Sequence, residues 1–327
     1  MPDRLGNDAH AGPGRGRARP PAGRDLHRRG WPAAGLRRLR ALPGRPGLAR
    51  PDPVPRVFPR RHRSRVGGFA PDRLDRSCSR SRDPQALPLA RGTVGRGPVQ
   101  LHIRSWGSGE RWALLIHGVS ADSLGWAEFA EHFVGRGWRV VAPDLRGHGE
   151  SPRGRYSLAE LAADVVESVP AGPDLALGHS LGGALLTLSR DRLLPRAAVY
   201  ADPAWKIDIS PEQVAAGREA LTSFTREQWR AFNPRWSEQA IDVMLEGIRR
   251  WDMDAFAADL QGEQPDLRPV SKPAVPSLLL LSSGVEVTEP RGYDVIRLAG
   301  VSHTMFWDDP ELCARNVLDW LATVEPA

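Results

Sequence analysis

From about residue 96 the chain alternates short apolar runs with amphipathic stretches, and no other feature limits its fold as strongly. Runs such as WALLI at 112–116, AAVYA at 197–201 and SLLLL at 277–281 are apolar almost throughout, as strands covered on both faces must be. The pattern predicts strands at 99–106, 112–116, 138–142, 174–177, 197–201, 277–281 and 294–298. Helical patterns between them point to an α/β domain: a mostly parallel sheet with helices on both faces. Ser157-Leu158-Ala159-Glu160 reads as a capping box opening a helix to about Val169. Asp309-Pro310-Glu311 places a cap and a first-turn proline before a helix ending near Val324. Residues 204–273 are helical in character, with runs from Pro211 to Phe224 and Ser237 to Trp251, and are expected to form a lid over the carboxyl edge of the sheet before its last two strands.

The first ninety residues differ in kind. They hold 21 Arg, no Lys, 7 Asp, 14 Pro and 11 Gly, so a chain of net charge +6 is divided into a basic N-terminal segment and an acidic remainder. A stretch with no apolar period cannot offset the entropy of ordering itself, so residues 1–88 are expected to be a disordered extension and 89–327 the folded domain. Arginine without lysine, interrupted by Pro and Gly, suits an upstream extension without selected function better than a nucleic-acid-binding arm, and no specific nucleic-acid partner is expected. No long apolar run follows the early arginines, and Cys78 and Cys313 are too few and too far apart for a disulfide framework. A cytoplasmic location without membrane attachment is therefore expected.

Within the domain, Gly178-His179-Ser180-Leu181-Gly182 lies between an apolar strand and an apolar helix. This is the G-x-S-x-G elbow, in which glycines let the backbone close a sharp bend that thrusts the serine hydroxyl outward. Such a hydroxyl becomes nucleophilic only when a base takes its proton. His303, in the loop between the last strand and the last helix, is the histidine best placed to reach the same sheet edge. Oxyanion donors are expected from the backbone N–H of Leu181 and of Val119, the latter in the loop after Ile116-His117-Gly118. His117 and the charges of Asp144 to Ser151 read as loop-fixing groups.

These motifs resemble the α/β-hydrolase superfamily, in its lid-bearing, serine esterase-like branch. The resemblance is carried by His117-Gly118 with Trp126, by Asp144 to Ser151, by Gly178 to Gly182, and by Ser302-His303 ahead of Asp308-Asp309-Pro310. It implies a Ser180–His303–acid triad hydrolysing a carboxylic ester or lactone through an acyl-enzyme, with no metal or cofactor, and the tryptophans of the lid suggest a small, largely apolar acyl or alcohol group. A serine at the elbow sets the chain apart from relatives with a carboxylate nucleophile. The acid departs from the family pattern: Glu286, in Ser283-Gly284-Val285-Glu286, takes the usual place, and Asp202, in Ala201-Asp202-Pro203, is the rival. Only about a dozen residues separate Leu281 from Asp294, too few for the usual crossover helix. Carbon–carbon bond hydrolysis, perhydrolysis and acyl transfer are alternatives on the same fold, as is a catalytically impaired ligand-binding protein; a monomer or a homodimer would serve any of them.

Overall fold

The computed structural model describes residues 99–206, 211–260, 263, 265–285 and 287–324. The extension 1–88 and Glu286 lie outside the described residues. Seven strands, β1 (Ile103–Trp106), β2 (Trp112–Ile116), β3 (Arg139–Pro143), β4 (Leu175–His179), β5 (Ala197–Ala201), β6 (Ser277–Leu281) and β7 (Asp294–Arg297), form one sheet in the order β1-β3-β2-β4-β5-β6-β7. Only β1 runs antiparallel to its neighbour. Each predicted strand overlaps an observed one. The first is shorter than expected because Val99 N and Leu101 N are taken by Asp164 Oδ1 and Ser168 Oγ, and His102 N by Ser151 Oγ, rather than by a strand ladder.

Both faces of the sheet are covered. Along β2, Leu114 and Ile116 point into one core and Ala113 and Leu115 into the other, the period-two alternation that a strand imposes. The first core is closed by α2 (Leu158–Ser168) and α3 (Leu181–Leu193), the second by α1 (Ala127–Val134), the one-turn α8 (Met305–Asp308) and α9 (Pro310–Val324). Ser157 Oγ accepts from Glu160 N at 3.1 Å, and Asp309 Oδ1 accepts from Leu312 N at 2.9 Å, so both predicted caps form. Between β5 and β6 lie α4 (Pro211–Ser223), α5 (Arg226–Phe232), α6 (Glu238–Arg250) and α7 (Met253–Leu260). Trp229 and Trp236 stack inside the small core of this insertion, with ring centroids 6.0 Å apart; Trp205 and Trp251 are buried in the main core. The tryptophans are therefore packing groups, and their number says nothing about a substrate pocket. No helix among the described residues is long and apolar enough to cross a membrane.

The turn after β3 is held by a buried ion pair. Arg146 donates from Nε and Nη2 to the two oxygens of Asp164, both at 2.7 Å, and Asp164 is fully buried. Removing one partner strands the other charge, so Asp164→Ala is expected to cost about 3–5 kcal/mol of stability, measured by urea unfolding. An unchanged midpoint would show that Arg146 finds another partner.

Candidate active site

The parallel strands end along one edge, and that edge gathers the predicted residues. β4 ends at His179 beside Ala201 of β5, placing Ser180 next to Asp202 in space. Ser180 has φ 52° and ψ −115°, a conformation that costs about 1–3 kcal/mol for a residue with a side chain. The surroundings over-determine it: Ser180 N donates to Ala201 O at 2.9 Å, while its carbonyl accepts from Gly183 N at 3.0 Å and Ala204 N at 2.9 Å. Neighbouring glycines allow the bend to close. A Cβ on Gly178 would lie 2.2 Å from Gly182 O, and one on Gly182 would lie 2.1 Å from Ile116 O.

Asp202 is buried at the end of β5 and also has a positive φ, 39°. Its Oδ1 accepts from Ser282 N at 2.9 Å and its Oδ2 from Ser282 Oγ at 2.5 Å. The same Oδ2 lies 3.2 Å from His303 Nδ1. That contact leaves Nε2 of the half-exposed His303 as the free ring nitrogen. Among the described residues the Ser180 hydroxyl forms no hydrogen bond, and neither do the Val119 and Leu181 N–H groups. Hydroxyl, ring nitrogen and backbone donors are thus uncommitted at one edge. The structure brings Ser180, His303, Asp202 and Leu181 together there, with Val119 on the loop that follows the neighbouring strand β2. No helix occurs among the described residues between β6 and β7, so the crossover is as short as the spacing implied.

Buried histidines fix the floor. His117 donates from Nδ1 to Gly118 O at 2.8 Å and accepts at Nε2 from Leu145 N at 2.9 Å, which sets its tautomer. His148 donates from Nε2 to Val119 O at 2.7 Å and stacks on Trp251 at 5.4 Å, linking the insertion to the loop that carries Val119. Asp144 accepts from Ser123 N at 2.7 Å and Glu150 N at 2.9 Å; burial works against its charge, but these bonds outweigh it and keep the carboxyl below its ordinary range. Asp144, Arg146 and His148 are therefore loop-fixing groups, as the sequence suggested.

Carbonyl oxygens face both ring nitrogens, Val119 O at Nε2 and Arg146 O at Nδ1, and favour the charged ring, but burial, with His117 beside it, outweighs them and holds the His148 imidazole at a pKa of about 3, well below the ordinary 6.5. Between these values the unfolded chain binds a proton that the folded one refuses, so stability is full above about pH 6.5 and falls as pH drops toward 3. His148→Gln is expected to flatten this slope by up to about 1.4 kcal/mol per pH unit in urea titrations between pH 6 and 4. Equal slopes in both proteins would contradict the burial of a neutral ring.

In the sequence His179 is only the variable position of the elbow. In the structure its Nε2 donates to the carbonyl oxygen of His303 at 2.8 Å, and its ring lies 4.8 Å from the His303 ring. Nothing local in the sequence announces a contact across 124 positions.

Comparison with known proteins places the fold in a family. The profile described as alpha/beta hydrolase family matches residues 113–316, more than half of the chain. The chain belongs to the α/β-hydrolase family. It is 35% identical over 121 residues to Lipase LipV of Mycobacterium tuberculosis, a match covering 34% of this chain and 45% of that protein. It is 32% identical over 128 residues to the magnesium-chelatase 30 kDa subunit of Rhodobacter capsulatus, covering 35% and 45%. The chain thus spans less than half the length of these curated relatives. Among solved structures, the enol-lactonase from Burkholderia xenovorans superposes with a TM-score of 0.53 at 21% identity, covering 68% of this chain and 96% of that one. At that identity the likeness is one of fold.

Proposed function

We propose that the protein is a serine hydrolase acting on a carboxylic ester or lactone, with Ser180 as nucleophile, His303 as base and Asp202 as the orienting acid. The observation that carries the reading is the 3.2 Å contact between buried Asp202 and His303 Nδ1, at the edge where Ser180 is held in a strained bend. In this scheme Asp202 fixes the tautomer with the proton on Nδ1, so Nε2 accepts the proton of Ser180 Oγ as that oxygen attacks the carbonyl carbon. His303 turns toward Ser180 to do so, a tightening of catalytic hydrogen bonds usual once substrate binds. Charge developing on the carbonyl oxygen is met by the unpartnered N–H groups of Val119 and Leu181. His303 then passes the proton to the leaving alkoxide, and a water deprotonated by the same ring cleaves the acyl-enzyme. Each step is carried by groups of this chain. The lipase name of the Mycobacterium tuberculosis relative supports ester chemistry without fixing the substrate.

The test is turnover of a short-chain chromogenic ester by the full chain and by Ser180→Ala. The expected result is a loss of at least about 10³-fold with an unchanged melting curve. A folded variant that keeps the activity would remove Ser180 from the mechanism and bring forward the ligand-binding reading.

A further inference from the structure

The loop that carries His303 starts from a weak support. β7 is a four-residue edge strand whose connection to β6 holds no helix among the described residues, and the His303 side chain is 50% exposed. Up to Val301 the loop is bonded to Ser283: Ser283 Oγ donates to Leu298 O, Gly300 N donates to Ser283 Oγ, and Ser283 N donates to Val301 O. Ser302 N then donates to Asp308 Oδ2 at 2.6 Å. At His303 itself, the bond from His179 Nε2 is the only one to either backbone group among the described residues. Phe306 meets the His179 ring edge to face at 5.5 Å and fixes its plane.

Resting on the reading of Ser180 and His303 above, we propose that His179 is a positioning residue: its ring ties the backbone of the base to the central strand that carries the nucleophile. Ser180 is the next residue in the chain, so one residue sets the distance between the elbow and the base. The tether supplies what the short β6–β7 connection does not, a rigid reference for a loop at the sheet edge. His303 is then held twice, by its side chain to the end of β5 through Asp202 and by its carbonyl to the end of β4 through His179. The bond needs a proton on His179 Nε2 and no charge. Burial and the neighbouring His303 keep the ring neutral, with a pKa of about 3, so no second cation competes with the imidazolium that His303 forms in reaction.

The experiment compares the full chain with His179→Leu, His179→Asn and His179→Gln, reading kcat, KM, the rate of fluorophosphonate attachment to Ser180, and deuterium exchange of residues 299–304. A Gln amide nitrogen reaches to the depth of Nε2, whereas an Asn amide stops one bond short. Misplacing a base by about 1 Å costs on the order of 10²-fold, so the Leu and Asn variants are expected to lose about that factor in kcat and labelling rate while KM moves by less than about threefold. Their 299–304 segment should exchange faster, and His179→Gln should restore rate and protection together. A Leu variant with the parent's rate and exchange, or a Gln variant no better than Asn, overturns the positioning role. Failure of the parent chain to label at Ser180 instead overturns the reading beneath it, and the exchange data still report whether the tether exists.

Discussion

Asp202→Asn is expected to lower kcat by about 10³- to 10⁴-fold while leaving the fold intact, the largest effect of any isosteric change in this chain. The carboxylate has two tasks. Its Oδ1 accepts from Ser282 N at 2.9 Å, and an asparagine carbonyl oxygen does the same, so the end of β5 keeps its anchor. Ser282 Oγ, which donates to Oδ2, can instead accept from the new amide. His303 cannot adapt so cheaply. An amide N–H facing Nδ1 at the 3.2 Å position favours the tautomer with the proton on Nε2, and that nitrogen then cannot take the proton of Ser180. Glu286→Gln, the corresponding change at the other candidate acid, is expected to stay within about threefold of the parent, since a carboxylate that does not orient the base adds little. Reversed outcomes for the two variants, read as kcat on a short-chain ester beside melting curves, would move the acid to Glu286.

The second large effect concerns the elbow. Gly182→Ala puts a Cβ 2.1 Å from Ile116 O and 2.8 Å from His117 O, and both are backbone atoms leading into the loop that carries Val119. Neither can step aside as a flexible side chain would, so α3 must lift off the end of β2. A cost of about 3 kcal/mol or more is expected. For a domain of this size that corresponds to a fall in Tm of about 6–12 °C. Gly217→Ala in α4 is the control: its Cβ meets nothing within 4 Å, and alanine is favoured over glycine in a helix by about 0.5–1 kcal/mol. Similar melting curves for the two variants would show that the close approach at Gly182 is not a constraint.

Much of this was legible in the sequence because the signals are local. A doubly covered strand is written as a short apolar run, and the elbow as two glycines around a serine, so β2, β5 and β6 were read at their observed bounds. Capping residues at Ser157 and Asp309 placed their helices for the same reason. Short helices lack such punctuation: α1, of eight residues with no side-chain cap, is not marked by any cap signal in the sequence, and α7 is covered only by the general helical character of 204–273. Even the box formed by Thr225 and Gln228 at the start of α5 went unread among neighbouring polar residues. The choice between the two candidate acids was not legible for a different reason. Asp202 before Pro203 looks like a turn residue, and only the fold brings Ser282 and His303 to it, 80 and 101 positions away. His179 was hidden in the same way, since the bond that distinguishes it spans most of the domain.

In the proposed mechanism Ser180 Oγ forms a covalent bond to the acyl group of its substrate. This step is tested most directly by mixing the full chain with a short-chain ester, quenching in acid during turnover, and measuring intact and peptide masses. The expected result is a mass increase equal to one acyl group, located on the peptide containing Ser180 and absent in Ser180→Ala. An ester-hydrolysing protein that carries no acyl group in the steady state or under single turnover, or carries it on another residue, would contradict it.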